Sequence, residues 1–102
     1  MKHLKYFEKI ERKPKVGDYV IIDSAYTIED KELEYFIENT IGKIHRIDFR
    51  YTYVDVQYSN IPFDLMRYFN SNIIDFNSNC IKYFSKDREV VEMMLNTNKY
   101  NL

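Results

Sequence analysis

The chain has one cysteine, two histidines, two glycines, two prolines and no tryptophan among its 102 residues. A single thiol, Cys80, makes neither an internal disulfide nor a cysteine-based metal site, and it fits an intracellular address. His3 and His45 have no partner at metal-ligand spacing, and His45 falls opposite to Ile44 on a strand, at the surface or rim. No glycine-rich phosphate loop, Gly-x-Ser-x-Gly elbow or Asp-x-Asp calcium loop occurs. Enzymes need paired groups, and three-group constellations rarely escape all such patterns. The chain is therefore read as non-enzymatic, with no catalytic residue, metal or cofactor assigned. No apolar run approaches the length of a bilayer span, and Met1-Lys2-His3-Leu4-Lys5 lacks the apolar segment of a signal peptide. A cytoplasmic protein without membrane contact is expected.

What is present belongs to a globular chain: 45% hydrophobic and 30% charged residues, enough for one core and little left over for a deep pocket. The net charge of −1 conceals an asymmetry. Residues 1–15 form a basic segment with Lys2, Lys5, Lys9, Arg12, Lys13 and Lys15, whereas the stretch up to Glu38 is acidic. No linker, repeat or low-complexity segment divides the chain. A single domain over 1–102 is expected, with a barrel over 16–84, a helical insert over 29–38 and a C-terminal helix over 85–96.

The organising stretch runs from Val16 to Tyr58. Gly17-Asp18 turns into a strand over Tyr19 to Asp23, Ile41-Gly42 opens a second running to Ile47, and Val54, Val56 and Tyr58 alternate with Asp55 and Gln57 in a third. Between the first two, Leu33, Phe36 and Ile37 fall at helical spacing, and Glu29, Asp30 and Glu32 occupy the turn that the helix dipole favours for negative charge. Leu4, Phe7 and Ile10 mark a short N-terminal helix ended by Pro14. Pro62 opens one or two helical turns, a weak strand follows over Ile73 to Phe76, and another runs from Cys80 to Phe84. Ser85 caps a last helix with the apolar stripe Val90, Val91, Met94 and Leu95, expected to pack against an open mouth of the sheet.

The pair Gly17-Asp18-x-Val20 and Ile41-Gly42-Lys43-Ile44-x-x-Ile47, followed by a Val-x-Val strand, resembles the opening of KOW-type and other SH3-like small barrels. The resemblance covers about four-tenths of the chain and implies an α+β protein built on a small SH3-like antiparallel β-barrel. The chain departs from the KOW pattern in the connecting loop, where an acidic helix stands in place of basic, glycine-rich residues. As a whole, with its Lys5 to Glu8, Val16 to Val20, Ile61-Pro62, Ser85 to Asp87 and Lys99 to Leu102 segments, it also resembles small proteins of large phages.

Aromatic residues reach 17%, and they exceed what one small core takes up. If Tyr19, Phe36, Tyr58, Phe63, Phe76 and Phe84 fill the interior, some of Tyr6, Tyr26, Tyr35, Tyr51, Tyr53 and Tyr68 lie outside. Surface tyrosine is a residue type of binding hot spots and of platforms on which bases stack. Two functions follow as expectations. The first is a phage-type accessory protein, monomeric or a small homo-oligomer, that binds another protein through Glu29, Asp30, Glu32, Glu34, Tyr51 and Tyr53. One form of it inhibits a host factor, including a defence nuclease in the manner of an anti-CRISPR protein. The second is an RNA- or DNA-binding module that uses Arg46, Arg50, Tyr51 and Tyr53 at the hairpin.

Overall fold

A computed structural model describes residues 13–23, 28–48, 50 and 52–100, the side chains of 98–100 excepted. The expected N-terminal helix, Tyr26 and Tyr51 lie outside the described residues. Strand β1 (Tyr19–Ile22) leads to helix α1 (Lys31–Asn39), then β2 (Gly42–Asp48) and β3 (Tyr53–Gln57). A 3₁₀ segment (Phe63–Tyr68) precedes β4 (Ile73–Asn77), a second short one (Ser78–Cys80) precedes β5 (Ile81–Ser85), and helix α2 (Arg88–Tyr100) follows. The five strands form one sheet in the order β4-β3-β2-β1-β5, every neighbouring pair antiparallel. The fold is α+β.

The expectation of a closed barrel is corrected, because among the described residues no ladder joins β4 to β5 and the sheet is open. Its apolar face is covered by other means. Leu33 and Ile37 of α1 and Leu65 of the 3₁₀ segment are buried against Val20, Ile22, Ile44, Val54, Val56 and Phe76 of the sheet. Each of these helical side chains is worth roughly 1.5–3 kcal/mol when fully buried, so a helix supplies the burial that a far barrel wall would give.

Strand β1 is buried on both sides. Val20 and Ile22 belong to that core, while Ile21, also buried, points the opposite way by the alternation of a strand. Helix α2 packs on β1 and β5 there, with Val91 fully buried. It therefore covers one end of the opposite face and does not plug a mouth of the sheet, as the sequence pattern had suggested. Its N-cap is Asp87, which accepts from Glu89 N (3.1 Å), while Ser85 Oγ accepts from Asp87 N (3.0 Å) and holds the cap in place.

Turn chemistry places the strands. Gly17 has φ of +94°, and its N–H donates to Ile44 O at 2.9 Å. The buried Asp18 accepts from Lys15 N through Oδ2 (3.0 Å), and its carbonyl accepts from Ile44 N (2.8 Å). Ser71 and Asn72, with φ of 54° and 68°, make a two-residue turn in which Asn70 and Ile73 exchange both main-chain bonds at 2.8 and 3.0 Å. His45 is the extra residue of a bulge between Ile44 and Arg46, and it is exposed.

Gly42 serves a different purpose. A Cβ there would run into Val56 Cγ1 and stand 2.9 Å from Tyr58 Cε1, so the missing side chain makes room for the buried tyrosine ring. Phe36 and Phe69 close around that ring, with centroids 5.7 and 5.9 Å from it and 6.1 Å from each other. The Tyr58 hydroxyl is buried and has no hydrogen-bond partner among the described residues, and burial holds it well above the usual phenol range. Two opposite outcomes are expected in denaturant unfolding. Gly42→Ala overpacks the site and lowers stability by about 1–3 kcal/mol. Tyr58→Phe keeps the ring, removes an unsatisfied polar group, and leaves stability unchanged or raised by about 1 kcal/mol.

Candidate partner-binding surface

The acidic residues singled out in the sequence do not act alike. Asp30 is half-buried and divides its carboxylate between two elements. Its Oδ1 accepts from Glu32 N (2.9 Å) and Leu33 N (3.2 Å), which caps α1. Its Oδ2 accepts from the Tyr68 hydroxyl at 2.5 Å and lies 3.5 Å from Arg67 Nη2, which ties the 3₁₀ segment to the same point. Arg67 stacks on the Tyr68 ring, 4.6 Å from its centroid, and Nη1 donates to Asp64 O. The Tyr68 hydrogen bond, with help from the Leu33 amide, holds the Asp30 carboxyl below the usual carboxylate range.

Glu29 and Glu32 are exposed, and Glu34 is half-buried 3.9 Å from Lys31 Nζ in an i, i+3 pair. The clamp at Asp30 brings the outer faces of α1 and the 3₁₀ segment side by side. Between them runs a groove of about 650 Å³, lined by Glu32, Tyr35, Phe36, Pro62, Asp64 and Leu65 among others. Tyr35 in its wall is 71% exposed, and the 3₁₀ segment also exposes Phe63 (87%) and Met66 (48%). The assignment of Phe63 to the core is thus corrected. A 3₁₀ turn with three residues per repeat puts Leu65 inward and leaves Phe63 two positions away, pointing to solvent.

Of the hairpin residues, Tyr53 lines a second groove together with Glu29 and Asp30, while Arg46 and Arg50 fall elsewhere. Tyr53 is half exposed on β3, and Arg50 sits at the tip, its amide donating to Asp48 Oδ1 at 3.0 Å. Arg46 Nε is 3.0 Å from Asp55 Oδ2, so its charge is engaged across the β2–β3 ladder. Asp55 faces Asp75 across the β3–β4 ladder, and Asp48 ends β2, so this outer face carries carboxylates beside its arginines. Sequence reasoning missed Phe63, Met66 and the clamp. Only Pro62 signalled that an irregular helical turn began there.

Cys80 is half-buried, and burial, with Asp23 nearby, pushes its thiol above the usual value. Among the described residues no group of three or more His, Cys, Asp or Glu side chains is placed to hold a metal ion, and no helix is long and apolar enough to cross a membrane. Comparison of the chain with protein-family models, with curated proteins and with solved structures finds no match.

The clamp has a pH signature. A carboxylate whose folded pKa is depressed contributes stability that is complete above the unfolded value of about 4 and is lost as pH falls through the folded value. Asp30→Asn keeps an acceptor for the cap amides but loses the charge held by Tyr68 and Arg67, and is expected to lower the thermal midpoint at neutral pH by a few degrees. Its midpoint then falls less steeply than that of the unaltered protein on acidification below about pH 4. Parallel acid profiles for the two proteins would remove Asp30 from this role.

Proposed function

We propose that the chain is a protein-binding domain that presents the joined outer faces of α1 and the 3₁₀ segment to a partner. The observation that carries this reading is Phe63, a large apolar ring left 87% exposed in a turn anchored from both sides. Met66 is exposed in the same 3₁₀ segment, and the groove bordered by its neighbours Pro62 and Asp64 is lined across from them by Tyr35, Phe36 and Glu32. Aromatic anchors within a polar surround, held by a preorganised backbone, are the composition of an interface hot spot. Of the residues expected to bind, Glu32 lies directly on this groove, while Asp30 supports it from behind.

The reading extends to an accessory protein of phage type that occupies a host factor, a defence nuclease included, whose basic surface meets Glu32 and Asp64. Support for the SH3-like comparison comes from two features: the glycine-led strands β1 and β2 are neighbours, and β5 returns to pair with β1. The hairpin carboxylates Asp48 and Asp55, with Asp75 beside them on β4, weigh against phosphate contact at Arg46 and Arg50.

The test is a quantitative pull-down from a lysate of the source organism, repeated with Phe63→Ser and Tyr35→Ser together and, separately, with Glu32→Lys. For a partner recovered by the unaltered protein, the double variant is expected to lose about thirtyfold in affinity at unchanged thermal midpoint. Glu32→Lys is expected to lose less and chiefly at low salt. Equal recovery by all three proteins sinks the proposal. So does a steeply salt-dependent shift of a mixed oligonucleotide pool, which would move the function to the hairpin.

A further inference from the structure

The outer edge of β4, unpaired among the described residues, is a second surface, separate from the Phe63 face. Tyr58 N donates to Asn72 O (3.0 Å), and Ser78 N donates to Thr52 O (2.7 Å), at the two ends of a β3–β4 ladder whose register holds over all five pairs. Antiparallel pairs alternate between bonded and non-bonded, so Val56 with Ile74 and Val54 with Phe76 are the bonded pairs between those ends. The main-chain groups of Ile73, Asp75 and Asn77 therefore turn away from β3. Those of Ile73 are taken by Asn70 in the preceding turn. The N–H and C=O of Asp75 and the N–H of Asn77 remain directed outward, and no main-chain partner for them occurs among the described residues.

These groups open onto a groove of about 700 Å³ between β4 and the start of α1, with Leu33 and Phe76 at its base and Glu29, Asp30 and Tyr68 on its far side. We propose that this edge accepts an extended segment of a partner protein as a sixth strand, and that the segment carries basic side chains. Strand addition needs an unpaired, regular edge with side-chain pockets beside it, and among the described residues β4 has both. The other edge is less suited, because β5 is bulged against β1 between Ile21 and Ile22 and carries an exposed Lys82. Charge selects the occupant. Glu29 stands on the α1 side of the groove, and Asp75, whose side chain is on the opposite face of the sheet beside Asp55, lies on the same edge, so an incoming strand meets a carboxylate on each of its faces. A second copy pairing edge to edge would bring two such sets together, whereas lysine or arginine on an incoming strand meets them as counter-ions.

The probe is a synthetic peptide of about seven residues alternating lysine and valine, long enough to form one strand. It is titrated into the full ¹⁵N-labelled chain beside the same peptide with glutamate for lysine. Expected are amide shifts at Asp75, Asn77 and Glu29, slowing of hydrogen exchange at the Asp75 and Asn77 amides by about tenfold, and binding of the glutamate peptide weaker by about tenfold. Asp75→Pro deletes an outward N–H without touching the β3 ladder and is expected to abolish binding, with protected Ile74 and Phe76 amides as the check on folding. Glu29→Lys with Asp75→Lys, which alters no main-chain group, is expected to reverse the preference between the two peptides. Phe63→Ser is expected to bind the lysine peptide as the unaltered protein does, so this result stands or falls apart from the Phe63 interface. Four results would overturn the proposal: no shift at millimolar lysine peptide, shifts that map to β5, an unchanged preference in the double lysine variant, or a concentration-dependent dimer that protects the same amides without peptide.

Discussion

Much of this structure depends on the space left by a single missing side chain. With only hydrogen at Gly42, the ring of Tyr58 lies against the start of β2, and Phe36 and Phe69 pack on that ring from α1 and from the chain beyond the 3₁₀ segment. Three elements far apart in sequence thereby share one aromatic contact. The cost is a buried hydroxyl without a partner among the described residues, a penalty that the area of the ring outweighs. Because α1 and the 3₁₀ segment are fixed at this point, their outer faces are fixed as well.

Asp30 performs the matching task at the other end of α1. One carboxylate satisfies helix amides that would otherwise lack acceptors and also holds Tyr68 and Arg67. The exposed ring of Phe63 is consequently carried by a segment tethered through aromatic packing on one side and a charged hydrogen bond on the other. An apolar group presented this way loses little conformational freedom on binding, which is the condition for a small patch to bind well.

The sheet distributes its faces unevenly. One face is covered by α1 and Leu65, the end of the other by α2, and the rest of that second face bears Lys43, Arg46, Asp55, Gln57 and Asp75 in a polar arrangement. Both surfaces available to a partner lie where an element ends: the 3₁₀ turn between β3 and β4, and the outer edge of β4. Each borders a shallow groove, one beside α1 and the 3₁₀ segment and one between β4 and the start of α1.

Local signals were legible throughout the described residues. The alternation of Val54, Val56 and Tyr58, the spacing of Leu33, Phe36 and Ile37, the glycine before each of the first two strands and the stripe of α2 each correspond to an observed element. These features depend on neighbours within a few residues, and side-chain chemistry at that range is enough to select a period and a turn. Closure of the sheet was not decided there. Whether β4 meets β5 or is flanked by a helix depends on how α1 packs, which involves residues dozens of positions apart. The same holds for Phe63, whose composition suits a core and whose exposure results from Leu65 taking the inward position. The sequence by itself determined which segments are strands and helices and where negative charge gathers. Only tertiary packing decided which aromatic ring faces water and which strand edge is left open, because both depend on what fills the space opposite.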